Sequence, residues 1–444
     1  MAEKLIFLYL ILLPLMKVPK PAFMGTKLQY ADLIFIPIFI IFLFRKYKDR
    51  SGFLRDKINI SLILLILVSF LSFLLSPLIP KNGIFLDFAG LVYLVSLFIA
   101  ITSIINNKKT LTRASFLLFI AALFVSCVGI LISVLYNIFK VESLSYFVYE
   151  KASGAQSALV PFARPSSLLN LPEMFINFVL LGLSGAFLYR IQLDKRDTAK
   201  KRFVDLGITG ILLASFMAFS RSLAGVMLFL TLIAFHFFNS KGIMKYILRV
   251  TCLSGFLILL LSIIFFWIFT VYPVSFSTGD NAMPRIAYNT NLDTRVYLTK
   301  AALAIAIKYP YFGLGLGSFS DNFSSFLSRD DVLRLADIRG VFPEQLKIDP
   351  HSLYFGTLAE IGFLGLAVLL LFFMLLIYKS MRAYRLSVEL MPFYRNSCFI
   401  FQAAFLGLLL NGFFVDILSM RSFWVSLSLV AVTANLVARE KGRT

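Results

Sequence analysis

The sequence predicts an all-α polytopic membrane protein of about twelve transmembrane helices, with both termini in the cytoplasm and one large periplasmic loop. Three observations support this fold class. Hydrophobic residues make up 59% of the 444 residues and charged residues only 15%, whereas a soluble domain carries roughly a quarter charged residues. Phenylalanine occurs 49 times, more than a soluble core can pack, while lipid accepts apolar side chains without penalty. Long apolar runs also recur along the chain, so we expect residues 1–444 to form a single membrane domain.

The apolar runs define the individual spans, because crossing a bilayer takes about 20 mostly apolar residues. The first run resembles the apolar part of a secretory signal, but no small-residue cleavage site follows it, so we interpret it as a retained span. We place spans near residues 4–20, 30–45, 58–79, 84–106, 114–139, 172–189, 203–219, 222–239, 246–272, 353–378, 396–415 and 421–438.

The segments between the spans alternate between basic and mixed composition, and this sets the orientation. One set, together with Lys4, holds 26 of the 43 lysines and arginines. The positive-inside rule places this set in the cytoplasm. The net charge of +20 then follows mostly from topology and from attraction to anionic membrane lipids, so it does not indicate a nucleic-acid partner. The basic segments are 45–57, 106–113, 190–202, 239–249, 378–395 and 438–444.

Two segments on the opposite side are long: a first periplasmic segment at 140–171 and a large periplasmic loop at 273–352. A long polar segment between two spans usually forms a site or a lid over one. We expect short helices in the large loop. One helix would begin with Asn291 or Asp293 at its cap and end at Pro310, with its Ala/Leu/Ile face on the bundle or in the membrane interface.

Arginines on the periplasmic side are candidate ligands for an anionic substrate. Arg221 lies at the junction of two apolar runs, where a charge is costly unless it faces a cavity or a partner; the alternative is an arginine that snorkels from a helix end. Arg164 and Arg295 lie on the same side, although each alone is also typical of a solvated surface. Three arginines around one cavity would suit a diphosphate, because the guanidinium fork binds phosphate oxygens in pairs.

The candidate base is His351, at the outer mouth of a span directly after the large loop, whereas His236 lies near a cytoplasmic helix end. Imidazole is the side chain that titrates nearest neutral pH, as a general base requires. The alternative role for His351 is a helix cap.

The run "YFGLGLGSF" contains Gly313, Gly315 and Gly317. It follows a helix and a proline rather than a strand, which excludes a dinucleotide fingerprint. We interpret it as a tight backbone turn, with backbone approach to a ligand as the alternative. No histidine or carboxylate pair has metal-ligand spacing, and the three cysteines are scattered, so we expect no metal and no other cofactor.

The ordered motifs resemble the O-antigen ligase and O-antigen polymerase superfamily over roughly residues 200–438. They are "FSRSLAG" at a helix junction, "TRVYLTKAALAIAIKYPYFGLGLGSF" in the large loop, "PHSLYFGTLAEIGFLG" at its close, and "FFVDILSMRSFWVSLSLV" in the tail. In the third motif His351 stands nine residues before Glu360.

The resemblance implies a GT-C-like, metal-independent glycosyltransferase in the bacterial inner membrane, with its active site facing the periplasm. The donor would be a glycan on undecaprenyl diphosphate. The essential arginines and histidine of the family match Arg221, Arg295 and His351, and Arg164 matches less closely because the first loop is poorly patterned. One departure is Ser222, where the family usually has a small residue, and this leaves the packing around Arg221 open.

These observations combine into one mechanism, in which the arginines grip the diphosphate and His351 deprotonates an acceptor sugar hydroxyl that inverts the anomeric carbon. An O-antigen ligase would pass the chain to lipid A–core, and a polymerase would pass it to another lipid-linked repeat. We favour the ligase on the form of the third motif and the single dominant loop. A transporter of lipid-linked glycans is a further alternative, but no inverted repeats with broken helices are evident.

Overall fold

A computed structural model describes residues 2–19, 28–49, 56–77, 82–149, 164–194, 196–218, 220, 222–237, 292–339, 342 and 347–442. This part of the chain is almost entirely helical. Its helices are α1 (Ala2–Leu12), α2 (Tyr30–Asp49), α3 (Lys57–Leu75), α4 (Asn82–Ile104), α5 (Lys108–Asn137), α6 (Pro172–Gln192), α7 (Thr198–Met217), α8 (Leu223–Phe237), α9 (Leu292–Lys308), α10 (Phe319–Asn322), α11 (Arg329–Arg339), α12 (Leu353–Leu386), α13 (Pro392–Asn411) and α14 (Arg421–Lys441). Two short strands, β1 (Val148–Tyr149) and β2 (Arg164–Pro165), pair antiparallel.

Seven of the described helices are long and apolar enough to cross a membrane: α3, α4, α5, α6, α12, α13 and α14. This supports a multi-pass membrane protein, while the full number of spans stays a prediction. The apolar parts of α2 and α8 are shorter, at Tyr30–Phe44 and Leu223–Phe237.

Two predicted spans differ from the helices observed, and a third cannot be compared. The span at 4–20 is wrong in its extent, because α1 ends at Leu12, just before Pro14, which disfavours helical backbone at the residue before it. The span at 203–219 falls in α7, which is not among the seven because its first turns carry several charges, including Lys200, Lys201 and Arg202. The predicted span at 246–272 lies outside the described residues.

Helix α14 is the centre of the bundle. It packs against α4, α6, α12 and α13, and Trp424 in its first turn is completely buried. Serine and alanine recur along it, and small residues let helices approach closely when lipid supplies no hydrophobic drive between them. Small residues also allow α8 and α13 to approach closely where they cross. A Cβ atom on Gly225 would stand only 2.2 Å from the carbonyl oxygen of Gly407, so a larger residue would not fit there.

Polar contacts sort the connecting segments into two ends of the bundle. At one end, which we name the basic end, the Nζ of Lys379 binds the Oδ2 of Asp56 at 2.6 Å and the Nζ of Lys441 binds the Oε2 of Glu389 at 3.1 Å. These contacts join segments that the sequence assigns to one side. At the other end, which we name the loop end, the Nζ of Lys17 donates to the Oγ of Ser166 at 2.6 Å. Which end faces the cytoplasm stays a prediction.

The loop end carries α9, α10 and α11 around a small core of their own. The predicted helix is confirmed as α9, which runs from Leu292 to Lys308 and ends just before Pro310. Its Ala/Leu/Ile face packs on α12, as expected. The buried residues of this core are Leu298, Ala301, Ala302, Ile305, Leu314, Phe319, Phe323, Leu335, Ala336, Ile348 and Ala359.

The orientation can be tested by labelling single cysteines in a variant whose three native cysteines are replaced by alanine. Ser325, at the loop end, and Thr198, at the start of α7, are both exposed. Because the positive-inside rule places the basic segments in the cytoplasm, Ser325→Cys should react with a membrane-impermeant thiol reagent in cells with a permeabilised outer membrane, and Thr198→Cys should react only after lysis. The opposite pattern would contradict the orientation and any periplasmic site.

Candidate functional site

The segments that carry two of the predicted site residues meet at the turn between α13 and α14, residues 412–420, which we call the α13–α14 turn. Arg295, in the first turns of α9, directs its Nη1 to the carbonyl oxygen of Phe414 in this turn. The same Nη1 lies 3.4 Å from the carbonyl oxygen of His351. The structure therefore brings Arg295 and His351 together, although 56 residues separate them in sequence.

His351 occupies a strained backbone position directly before α12. Its φ is +49°, in the left-handed region where a side chain other than glycine costs roughly 1–3 kcal/mol. The N-cap of α12 is Ser352, whose side chain accepts a hydrogen bond from the N–H of Phe355. The cap is thus formed by the neighbour of His351, and the imidazole is half-buried at the loop end.

The start of α12 is attached to the end of α13. The N–H of Leu353 donates to the carbonyl oxygen of Gly412 at 2.8 Å, and the Oγ of Ser352 donates to the same oxygen at 3.3 Å. Tyr354 adds a hydrogen bond from its hydroxyl to the carbonyl oxygen of Leu409 at 2.8 Å. These contacts fix the backbone at His351 relative to the α13–α14 turn.

Of the other two predicted arginines, the structure describes Arg164 but not Arg221. Arg221 lies outside the described residues, but its neighbours form a turn in which the N–H of Leu223 donates to the carbonyl oxygen of Ser220 at 3.0 Å. Arg164 lies in β2, opposite Tyr149 in β1. Strand β2 contacts α5 and α7, so Arg164 lies at the loop end on the first long segment.

The glycine run forms a tight turn against a break in α12. Gly313, Gly315 and Gly317 have φ values of +65°, +106° and +78°, which suit glycine. Helix α12 is broken at Gly362, whose φ is +75°. A Cβ atom on Gly362 would stand 2.4 Å from the carbonyl oxygen of Tyr311, and one on Gly313 would stand 2.5 Å from that of Ala359. The glycines allow backbone to pack on backbone, which supports the tight-turn interpretation.

Two carboxylates that sequence analysis did not select flank this turn. The Oε1 of Glu360 accepts a hydrogen bond from the N–H of Phe319 at 3.2 Å. A Cβ atom on Gly317 would stand 2.1 Å from the Oδ2 of Asp87, so the Asp87 carboxylate lies directly against the turn. The spacing of Glu360 from His351 was visible in the sequence, but its role in holding the turn was not.

A third carboxylate that sequence analysis missed, Asp416, lies in the α13–α14 turn two residues after Phe414. Its Oδ1 accepts a hydrogen bond from the N–H of Leu418 at 3.0 Å. Burial, with a smaller contribution from the nearby charges of Asp349 and Asp87, raises the pKa of Asp416 to about 6, although the hydrogen bond from Leu418 acts to lower it. The signal in the sequence was an isolated acid between two apolar runs, which is a site hypothesis in a membrane protein.

The loop end therefore combines a guanidinium, an imidazole and several carboxylates in one region. A cation of this kind can hold a phosphate group, and an imidazole or a carboxylate can accept a proton. Among the described residues, no group of three or more His, Cys, Asp or Glu side chains has the arrangement of a metal site.

The comparison with protein families agrees with this chemistry. Residues 206–370 match the family model described as O-antigen ligase. The matched stretch includes α8, α9, the glycine turn and the start of α12. It supports an O-antigen ligase or polymerase superfamily for the chain, and with it lipid-linked glycan substrates in the membrane. No curated protein matches the chain.

The raised pKa of Asp416 predicts a pH-dependent effect on stability. The unfolded chain binds this proton with a pKa near 3.9 and the folded protein near 6, so ionisation of Asp416 opposes folding fully above pH 6 and not below about pH 4. Asp416→Asn keeps an acceptor for Leu418 and removes that charge. We expect its melting temperature in detergent to exceed that of the parent at pH 8, and the gain to shrink at pH 4.5.

The matched control is Asp330→Asn, because Asp330 is exposed at the start of α11. This variant should differ little from the parent at either pH. A gain from Asp416→Asn that is equal at pH 8 and pH 4.5 would contradict the assignment, since it would not come from the titration of Asp416.

Proposed function

We propose that the chain is a glycosyltransferase of the O-antigen ligase type. It moves an O-antigen polysaccharide from undecaprenyl diphosphate to a sugar hydroxyl of lipid A–core, on the periplasmic face of the bacterial inner membrane. The observation that carries the proposal is the contact of Arg295 and His351 beside the α13–α14 turn, in a chain whose residues 206–370 match the O-antigen ligase family.

Arg295 has the role of holding the donor diphosphate. A guanidinium offers five N–H donors in a rigid fork, and the two carbonyl contacts of Nη1 fix its orientation. Donors oriented in advance stabilise the charge that grows on the leaving diphosphate without reorganisation during the reaction. Arg221 supplies a second guanidinium and Arg164 a third, so that the negative charge is shared among cations from three segments of the chain.

His351 has the role of the general base. Its imidazole takes the proton from the acceptor hydroxyl while the hydroxyl oxygen attacks the anomeric carbon. The bond from that carbon to the diphosphate oxygen breaks on the opposite face, so the product is inverted and undecaprenyl diphosphate leaves as an anion. The diphosphate is a good leaving group, and the mechanism therefore uses neither a metal ion nor a general acid.

A polymerase that joins lipid-linked repeat units is the second candidate, because it needs the same binding of the donor diphosphate and the same general base. The form of the motif at His351 and the single dominant loop favour the ligase. An assay with purified protein and lipid-linked donor distinguishes the ligase from the polymerase. One reaction contains lipid A–core and the other contains a second lipid-linked repeat, and the acceptor that is consumed identifies the activity. A transporter would bind the donor and consume neither acceptor.

One prediction from the proposed mechanism concerns the arginines. Arg295→Ala and Arg221→Ala should abolish transfer, and Arg295→Lys should keep little, because an ammonium is a point charge that cannot form paired bonds to phosphate. The measurement is product formation by purified protein, together with binding of undecaprenyl diphosphate. The control is Arg334→Ala, since Arg334 is exposed on α11, and it should retain parental activity. Full activity in Arg295→Ala would refute the diphosphate role.

Another prediction from the proposed mechanism concerns His351. Its positive φ makes asparagine the better test than alanine, because asparagine tolerates left-handed backbone and provides no base. His351→Asn should lose transfer and still bind undecaprenyl diphosphate, since the arginines remain. EDTA should leave the parental rate unchanged. Activity in His351→Asn would exclude the histidine as the base, and loss of donor binding would make it a phosphate ligand instead.

A further inference from the structure

The second half of α9 exposes large apolar side chains opposite its buried face. Leu303 and Ile307 lie four residues apart, so they share one side of the helix, and Tyr311 follows four residues later, just beyond the end of α9. The exposed fractions are 42% for Leu303, 81% for Ile307 and 68% for Tyr311. We call these three residues the outer face of α9. Exposed apolar patches of this kind mark a surface that contacts a membrane or another protein.

The two lysines beside the outer face direct their charges elsewhere. The Nζ of Lys308 lies 5.5 Å from the ring centre of Tyr309 and 5.4 Å from that of Phe326, and aromatic faces attract a cation at such distances. The Nζ of Lys300 lies 4.0 Å from the Oδ2 of Asp331 in α11. Both ammonium groups are thus held by other parts of the loop end, and the outer face itself stays apolar.

The outer face is continuous with the exposed surface of two helices that can span the membrane, α3 and α12. The N–H of Leu364 in α12 donates to the carbonyl oxygen of Tyr311 at 3.4 Å, and the Leu364 side chain is exposed. The Oγ of Ser76, at the end of α3, donates to the carbonyl oxygen of Leu314 in the glycine turn, and the neighbouring Leu75 is exposed too. Leucines exposed on spanning helices meet lipid, so the surface that adjoins Tyr311 faces lipid.

The exposed side of α9 also changes in polarity along the helix. Lys300 precedes Ile307 by about two helical turns, so both lie on the same side, and the Lys300 side chain is half exposed. The axial distance between the two residues is about 10 Å, at 1.5 Å per residue. A lysine that can reach the headgroups, followed by apolar side chains, is typical of a helix that enters the membrane from its surface.

We infer that the end of α9 is inserted into the bilayer, with its outer face in contact with the acyl chains of membrane lipids. The occupant is lipid rather than a second protein, because the outer face extends a lipid-facing surface without a break. Tyr311 fits this place, since tyrosine is enriched where the apolar and polar layers of a membrane meet. The contact makes α9 a membrane-anchored helix rather than a lid that moves freely in water, and it goes beyond the proposed function, on which it does not depend.

The test is the accessibility of a nitroxide attached to Ile307→Cys, in the variant whose three native cysteines are replaced by alanine. The protein is reconstituted in vesicles of phosphatidylethanolamine and phosphatidylglycerol. Collision with oxygen reports the acyl chains, where oxygen concentrates, and collision with a water-soluble nickel chelate reports the aqueous phase. The controls are Leu74→Cys, exposed on α3, and Ser325→Cys, exposed at the loop end.

The ratio of oxygen to nickel collisions at Ile307→Cys should match that at Leu74→Cys and be several times higher than that at Ser325→Cys. Lys300→Cys should give an intermediate ratio, because this position lies nearer to the headgroups along the same side of the helix.

A second measurement keeps the native cysteines. Brominated lipids quench tryptophan that lies among the acyl chains. They should quench the fluorescence that Ile307→Trp adds to that of the parent, and should leave the fluorescence that Ser325→Trp adds unchanged.

Two outcomes would overturn the inference. A collision ratio at Ile307→Cys equal to that at Ser325→Cys would place the outer face in water. Low collision with both reagents, or spin–spin broadening between labels on different molecules, would show that protein covers the face, either another part of this chain or a second copy. Neither measurement uses transfer activity, so both results hold whether or not the proposed function is correct.

Discussion

The site depends on one physical constraint: backbone polar groups at membrane depth must find partners inside the protein. The Oγ of Ser72 donates to the carbonyl oxygen of Phe312, and Ser72 stands fifteen residues along α3 from Lys57 at the basic end. At 1.5 Å per residue this is about 22 Å, within a hydrocarbon core of about 30 Å. The glycine turn therefore lies at the depth of the bilayer half nearer the loop end, where unpaired backbone N–H and C=O groups are very costly.

The break in α12 gives these backbone groups partners, and it also positions the segments that carry the candidate site. At Gly362 the helix gives up some of its own hydrogen bonds. The N–H of Phe363 then donates to the carbonyl oxygen of Pro310 at 2.7 Å, and the N–H of Gly315 donates to that of Glu360 at 2.8 Å. The turn is thereby joined to the first part of α12, which begins beside His351. Since the turn follows α9, the same junction places α9 and its Arg295 over the end of α13.

The sequence predicted the helix, the turn and the two site residues of this region, but it did not predict the contacts between them. Helix α9, the glycine turn and the pair Arg295 and His351 were all visible, because each depends on local spacing or residue type. The contact of Arg295 with Phe414 joins segments 119 residues apart through a backbone oxygen, which leaves no pattern. The sequence analysis selected neither Asn411 nor Asp416, although each is a polar residue in apolar surroundings. Their partners, however, belong to other helices or to the turn itself, and only the packing of the bundle shows them.

The α13–α14 turn is held at both of its ends by buried polar contacts. At its start Asn411 is bonded to α8 and α6. At its end the Nε of Arg421 binds the Oδ1 of Asp32 at 2.7 Å, and the hydroxyl of Tyr93 donates to the same carboxylate. A buried ion pair is weak evidence of net stability, but removal of one partner costs about 3–5 kcal/mol, so the pair makes other placements of the turn unfavourable. A turn fixed in this way keeps the carbonyl oxygen of Phe414 in place, and this oxygen accepts from the Nη1 of Arg295 and so orients the guanidinium. A site that stabilises a growing negative charge needs its donors to be oriented before the charge appears.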